Sequence, residues 1–143
     1  MFIPRRYRQE LYNIYAFCRL ADDFADEFSG SDAARAALDR WERLLAESIS
    51  GDVEDPLFSA VGGTIRRQGL DPELFRKLLQ AFRLDLVKTR YATWADLRGY
   101  TRLSADPVGR LVLQLFGYRD PDYFALSDDI CTCLLYTSDA ADE

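Results

Sequence analysis

The chain has 143 residues, 48% of them apolar and 29% charged, a balance typical of one globular domain. A net charge of −6 argues against a nucleic-acid partner, and the lack of histidine excludes Ser-His-Asp catalysis, Cys-His catalysis and histidine-ligated zinc. Three cysteines without a CxxC pair or disulfide framework favour a reducing cytoplasm, and no apolar run approaches the ~20 residues of a membrane span.

Hydrophobic spacing predicts an all-α chain, because no segment shows sustained period-two alternation. Helices are predicted near residues 8–28, 31–49, 56–68, 72–90, 94–103, 107–116 and 121–132. Asp-Pro pairs mark four of the predicted helix starts, since Asp is a good N-cap and Pro is favoured at the first helical position. These pairs are Asp55-Pro56, Asp71-Pro72, Asp106-Pro107 and Asp120-Pro121.

The first predicted helix concentrates acidic residues near its end. Asp22, Asp23, Asp26 and Glu27 follow one another closely, and the nearest basic side chain is Arg19, a turn upstream. On a helical wheel of ~100° per residue, Asp22 and Asp26 project the same way. Nearly opposite them runs an apolar stripe of Ile14, Phe17, Ala21, Phe24 and Phe28.

Two interpretations of these acids are open. One is a solvated acidic face, which clustered acids usually form. The other is a magnesium site, because Mg²⁺ prefers carboxylate oxygens, keeps several waters and commonly bridges to substrate phosphates. Carboxylates one helical turn apart, such as Asp22 and Asp26, could hold ions that neutralise a leaving diphosphate and ease cleavage of its C–O bond.

Three stretches of the chain resemble one family. YAFCRLADDFAD at 15–26 resembles the first aspartate-rich motif of the squalene/phytoene synthases, all-α enzymes that join two prenyl diphosphates using Mg²⁺. DLVKTRYATWADLRGYTRLSADPVGRLVLQLFG at 85–117 and ALSDDICT at 125–132 are similar to the same family. The TRY and SADPVGRL elements are most similar to the bacterial hydroxysqualene synthases, which convert presqualene diphosphate to hydroxysqualene in hopanoid synthesis.

The resemblance implies roles for the acids and for two residues before them. Asp22 and Asp26 match catalytic, metal-binding aspartates, with Asp23 as a third metal ligand and Mg²⁺ as the cofactor. Tyr15 and Arg19 match substrate-binding positions one and two turns earlier, where Arg19 would contact the diphosphate of a prenyl diphosphate substrate. An apolar substrate or product is compatible with a cytoplasmic enzyme that associates peripherally with membranes.

Two further residues are substrate-binding candidates on the same basis. Arg90 lies in the TRY element. Gly109 matches a family glycine, where a missing side chain would let an isoprenoid chain lie against the backbone. Plain helix–helix packing explains Gly109 equally well.

The resemblance ends after Thr132. The remaining residues, CLLYTSDAADE at 133–143, look like an in-frame translation of a sequencing-library adapter. We therefore expect 1–132 to be part of a squalene/phytoene synthase domain, the N-terminal half of an isoprenoid-synthase helical bundle. Asp139, Asp142 and Glu143 would then imitate the family's second aspartate-rich motif by accident. The parent protein is expected to be an enzyme, and this polypeptide by itself to be inactive.

Other functions remain open on the same scaffold. The parent could be a phytoene synthase or a presqualene diphosphate synthase, or a non-catalytic helical assembly factor. An unrelated acidic α-helical binding domain is a further alternative. Leu103 favours the hydroxysqualene branch, because synthases that form squalene directly carry an aromatic residue at that position, one turn after Tyr100.

Overall fold

A computed structural model describes the backbone of residues 3–27, 32–87 and 90–141, and the side chains of 3–23, 32–87 and 90–137. Within these ranges the chain forms α-helices and no strand, which confirms the all-α prediction. The six helices are α1 (Arg5–Glu27), α2 (Asp32–Ser50), α3 (Pro56–Gln68), α4 (Pro72–Asp85), α5 (Trp94–Leu115) and α6 (Pro121–Ala141). None of these described helices is both long and apolar enough to cross a membrane.

Side-chain caps begin four of the helices, three of them at the predicted Asp-Pro pairs. The carboxylate of Asp55 accepts from the backbone N–H of Phe58, and that of Asp71 from Glu73. Asp120 accepts from the N–H of Asp122 at the start of α6. Thr93 begins α5 by accepting from the N–H of Asp96. Each cap satisfies a donor that has no partner within the first turn of a helix.

The fourth Asp-Pro pair was predicted wrongly. Asp106 and Pro107 lie inside α5, which runs unbroken from Trp94 to Leu115 and replaces the two helices expected at 94–103 and 107–116. Asp106 is buried and accepts hydrogen bonds from Arg98 (2.8 Å) and Thr132 (3.2 Å), so it bonds side chains of α5 and α6 and does not cap a helix. Pro107 is fully buried, and this packing offsets the backbone hydrogen bond that a proline removes from a helix.

Two helix ends also differ from the prediction. α4 ends at Asp85, short of residue 90, and α6 continues to Ala141, past residue 132. The segment 133–141 therefore prolongs the last helix. The Tyr136 ring packs edge-on against Trp94 at the start of α5, with the ring centroids 5.6 Å apart.

The core is organised around Phe17 of α1. Its ring is fully buried and lies 5.3 Å from Trp41 of α2, 6.1 Å from Phe58 of α3 and 5.2 Å from Phe75 of α4. Burying such a ring contributes about 1.5–3 kcal/mol, and each aromatic pair adds about 0.5–1.5 kcal/mol. The predicted apolar stripe of α1 is confirmed where side chains are described, at Ile14, Phe17 and Ala21. The side chains of Phe24 and Phe28 lie outside the described residues.

α6 lies at one edge of the helical packing and contacts mainly α5. α1 and α2 both pack against α3 and α4, and α4 packs against α5. α5 then packs closely against α6 along much of its length. The aromatic core therefore lies among α1 to α4, and α6 packs mainly against α5.

A polar cluster joins α1 to α3, with Glu10, Asn13 and Thr64 buried and Arg67 exposed. Glu10 accepts from Arg67 Nε (3.1 Å), Arg67 Nη2 (3.0 Å) and the hydroxyl of Thr64, and Asn13 donates to that hydroxyl (2.9 Å). Burial acts to raise the pKa of Glu10, but the hydrogen bonds from Arg67 and Thr64 and the Arg67 charge outweigh it and lower that pKa. Glu10 therefore holds α1 against α3 as a carboxylate.

Replacing Glu10 by Gln should lower the free energy of unfolding at neutral pH by about 1.5–3 kcal/mol, since hydrogen bonds to charged groups are worth about that. Because the folded pKa of Glu10 lies below its unfolded value, the stabilisation is present above the unfolded pKa and is lost as pH falls through the folded pKa. Urea unfolding of both proteins across the acid range measures this difference.

The matched control is Glu47→Gln, at an exposed position of α2, which should change the free energy of unfolding by less than about 0.5 kcal/mol. A difference between the Glu10→Gln variant and the parent chain that stayed constant throughout the acid range would contradict the role given to the Glu10 carboxylate.

Candidate functional site

The exposed side of α1 carries the predicted acidic group. Arg19 Nη2 lies 2.8 Å from Asp23 Oδ1, and Arg19 Nη1 lies 3.4 Å from Asp22 Oδ2. The side chains are 55% (Arg19), 49% (Asp22) and 40% (Asp23) exposed. Ion pairs this exposed contribute about 0–1 kcal/mol, so Arg19 softens the repulsion between the carboxylates without making them inaccessible.

The rest of the predicted group lies on the same helix. Tyr15 is exposed two turns before Asp22. α1 continues through Asp26 and Glu27, but their side chains lie outside the described residues. The shared orientation of Asp22 and Asp26 therefore stays a prediction.

Cys18 lies one turn before Asp22 and packs against the core. Burial and the negative charge of Asp22 raise the pKa of its thiol to about 12. The thiol is therefore neutral at physiological pH, which suits a packing role and not that of a nucleophile or metal ligand.

The donor chemistry of the acidic group fits Mg²⁺. Asp22 and Asp23 offer carboxylate oxygens that are partly open to solvent, and Mg²⁺ typically binds through one or two carboxylates while keeping waters or substrate phosphates as its other ligands. Among the described residues, no group of three or more His, Cys, Asp or Glu side chains could hold a metal ion. The described part of the site thus supplies two candidate ligands, both from α1.

The segment between α4 and α5 holds one further predicted residue, Arg90. Arg90 is exposed, and the Tyr91 ring lies 4.9 Å from that of Tyr100, whose hydroxyl donates to Asp85 (3.1 Å). Burial and the Asp85 charge raise the pKa of both phenols, that of Tyr91 to about 12, so both are neutral at physiological pH. None of the hydrogen bonds or ion pairs found for the described side chains joins Arg90 to the acidic group of α1.

Gly109 lies where α5 approaches α6. A Cβ atom at this position would collide with Ser127 Oγ and would lie 2.7 Å from Cys131 Sγ, both on α6. The glycine thus permits close contact of the two helices, which supports the packing explanation. Contact of Gly109 with an isoprenoid chain stays a prediction.

Two partly buried ion pairs were missed by sequence reasoning, one within α5 and one between α5 and α6. Arg98 pairs with Asp106, which also accepts from Thr132, and Arg110 Nε donates to Asp128 (2.9 Å). Burial and the nearby Asp128 charge raise the pKa of Asp106 despite the pairing with Arg98. The i,i+4 spacing of Asp106 and Arg110 was the one signal available, since residues four apart are neighbours on a helix.

The all-α fold, together with the acid-bearing helix α1, is that of the helical isoprenoid synthases. The model of the squalene/phytoene synthase family matches residues 1–140, and the chain belongs to this family. The match runs past Thr132 into the segment predicted to be adapter-derived, and that origin stays a prediction. Members of the family are prenyltransferase-type enzymes that act on prenyl diphosphates.

One solved structure and several curated proteins are similar to the chain. The crystal structure of squalene synthase HpnC from Alicyclobacillus acidocaldarius matches with a TM-score of 0.87 and 47% identity, over 94% of this chain and 50% of that one. The 15-cis-phytoene synthase of Synechococcus elongatus is 33% identical over 82% of this chain and 38% of its own length. Phytoene synthase 1 of Arabidopsis thaliana is 32% identical over 94% of this chain and 32% of its own length. The chain therefore spans half or less of the length of these relatives.

Two glycines of α5 provide a test of the α5–α6 contact. Gly109→Ala should lower the free energy of unfolding by about 1–3 kcal/mol, because the added methyl group collides with Ser127 and Cys131. Gly99→Ala is the matched control, since a Cβ there meets nothing within 4 Å, and it should stabilise the chain by about 0.5–1 kcal/mol. Urea unfolding midpoints measure both changes. Equal shifts in the two variants would show that Gly109 is not needed for packing.

Proposed function

We propose that this chain is the N-terminal part of a Mg²⁺-dependent isoprenoid synthase that converts presqualene diphosphate to hydroxysqualene. The observation that carries the proposal is the 47% identity to squalene synthase HpnC, against 33% and 32% to the two phytoene synthases. Leu103 at the position where direct squalene-forming enzymes carry an aromatic residue supports the same branch.

In this proposal the carboxylates of α1 form one wall of the diphosphate site. Asp22, Asp23 and Asp26 would hold Mg²⁺, which when bound would neutralise the negative charge of the leaving diphosphate. Arg19 is held only by exposed ion pairs, so it can exchange those carboxylates for diphosphate oxygens at little cost. Tyr15 and Arg90 would contribute to substrate binding from positions exposed to solvent.

The chain alone would lack the opposite wall. In the family's pattern a second aspartate-rich motif faces the first, and the carboxylates described for the proposed site, Asp22 and Asp23, both come from α1. We infer that residues 1–132 belong to the enzyme domain, that 133–143 derive from an adapter, and that the 143-residue polypeptide is inactive. The parent enzyme would act in the cytoplasm and meet membranes through its apolar substrate or product.

A phytoene synthase is the second candidate function. It is favoured by the curated relatives, of which the bacterial and plant examples given above are both phytoene synthases. The two reactions differ in substrate, since one consumes presqualene diphosphate and the other joins two prenyl diphosphates. Substrate use therefore distinguishes them.

The test requires the complete reading frame, recovered from the source with a different library chemistry. We expect CLLYTSDAADE to be replaced by a continuation containing a second aspartate-rich motif. The full-length enzyme should consume presqualene diphosphate and release hydroxysqualene in the presence of Mg²⁺. Recovery of the same eleven residues followed by a stop codon, or conversion of prenyl diphosphates to phytoene, would contradict the proposal.

In that full-length enzyme, Asp22→Asn should reduce turnover of presqualene diphosphate by about 100-fold, because a bound metal supplies several kcal/mol of charge stabilisation. Circular dichroism should show an unchanged helical content. Asp52→Asn, at an exposed position between α2 and α3, is the control and should leave turnover unchanged. Full turnover of the Asp22→Asn enzyme at saturating Mg²⁺ would exclude a metal-binding role for Asp22.

A further inference from the structure

A small cavity between α4 and α5 is lined mainly by basic and apolar side chains. Its volume is about 140 Å³, and its lining residues are Leu74, Lys77, Arg102, Asp106, Pro107 and Arg110. We call it the basic cavity, because three of the six residues are cations in a chain whose net charge is −6. None of the six belongs to the acidic group of α1 or to the predicted substrate-binding residues, so the basic cavity is separate from the candidate site.

Two of the charged residues of the basic cavity are already neutralised by partners. The carboxylate of Asp106 pairs with Arg98 at 2.8 Å. The guanidinium of Arg110 pairs with Asp128 of α6, with Nε donating at 2.9 Å. The carboxylate that lines the cavity therefore does not supply the counter-charge for its other cations.

Lys77 of α4 and Arg102 of α5 carry the remaining charge. None of the ion pairs formed by the described side chains includes either of them. Solvation alone is the usual explanation for one unpaired cation on a surface. Here two cations from different helices line one cavity, where they repel each other unless an anion lies between them.

The shape and the walls of the basic cavity favour a small anion. Leu74 and Pro107 are buried and supply apolar wall, and Lys77 is half-buried beside them. A concave surface with one sign of charge and low-dielectric walls concentrates ions of the opposite sign. At about 30 Å³ per water molecule in the liquid, the cavity has room for roughly four or five waters. This volume suits one small oxyanion and excludes a prenyl chain.

We propose that the basic cavity binds a phosphate-type oxyanion, either inorganic phosphate or inorganic diphosphate, between Lys77 of α4 and Arg102 and Arg110 of α5. A guanidinium matches phosphate oxygens with two parallel N–H donors, and an ammonium adds a point charge. Arg110 meets Asp128 through Nε and Nη2, and a guanidinium has five N–H donors, so further donors remain for the oxyanion. The inference does not depend on the proposed reaction, because binding is measured without catalysis.

The experiment titrates the isotope-labelled 143-residue chain with inorganic phosphate and, separately, with inorganic diphosphate, and follows the amide signals by NMR. The buffer contains no other phosphate and no divalent cation, and sodium chloride keeps the ionic strength constant, since salt screens exposed charges. We expect the signals around Lys77, Arg102 and Arg110 to shift saturably with at least one of the two ions. The ion with the lower dissociation constant is then the ligand of the basic cavity.

Lys77→Gln with Arg102→Gln should raise that dissociation constant by roughly tenfold or more, because two charge-assisted contacts are lost. Arg102→Gln alone, at an exposed position, should raise it in the same direction and tests the cavity without altering the half-buried Lys77. Arg35→Gln with Arg43→Gln is the matched control, since it removes the same two charges from exposed positions of α2 and should leave the dissociation constant unchanged.

Circular dichroism of each variant should show that all of them fold. Three outcomes overturn the proposal: no saturable shift with either ion, a dissociation constant that the cavity substitutions leave unchanged, or equal weakening in the α2 control, which would indicate attraction by net charge alone. Activity of the full-length enzyme bears on the proposed reaction and not on this site.

Discussion

The burial of Phe17 among the rings of Trp41, Phe58 and Phe75 determines how α1 is rotated, and the candidate site depends on that rotation. The paired Glu10 on the same helix adds a buried polar contact to α3, so two independent interactions hold α1 in one orientation. With the apolar stripe directed into the core, the carboxylates of Asp22 and Asp23 must lie outward, where a cation and a polyanion can reach them.

A second constraint holds α6. Arg110 of α5 pairs with Asp128 of α6, and the Arg98–Asp106 pair of α5 bonds Thr132 of α6, where the helices are already close at Gly109. Removing one partner of such a pair leaves the other charge unpaired, so these contacts favour the observed alignment of the two helices. The same alignment leaves Leu126 and Ile130 of α6 exposed.

Sequence reasoning recovered the features that depend on local chemistry. The period of Ile14, Phe17 and Ala21 predicted the buried side of α1, and Asp55 and Asp71 predicted the starts of α3 and α4. These features involve residues only a few positions apart, so a short window of sequence contains the information.

The features that failed depend on partners distant in the chain. Asp106 has the local pattern of a cap, but its burial and its bond with Thr132, 26 residues later, keep α5 continuous through Pro107.

That α1 presents its carboxylates as a cation-binding face is tested most directly by NMR of the isotope-labelled chain titrated with Mn²⁺, a paramagnetic ion that shares the preference of Mg²⁺ for carboxylates. We expect the amide signals around Asp22 and Asp23 to broaden before those at exposed acids elsewhere, and Asp22→Asn with Asp23→Asn to abolish that preference. Equal broadening at all exposed acids would contradict it.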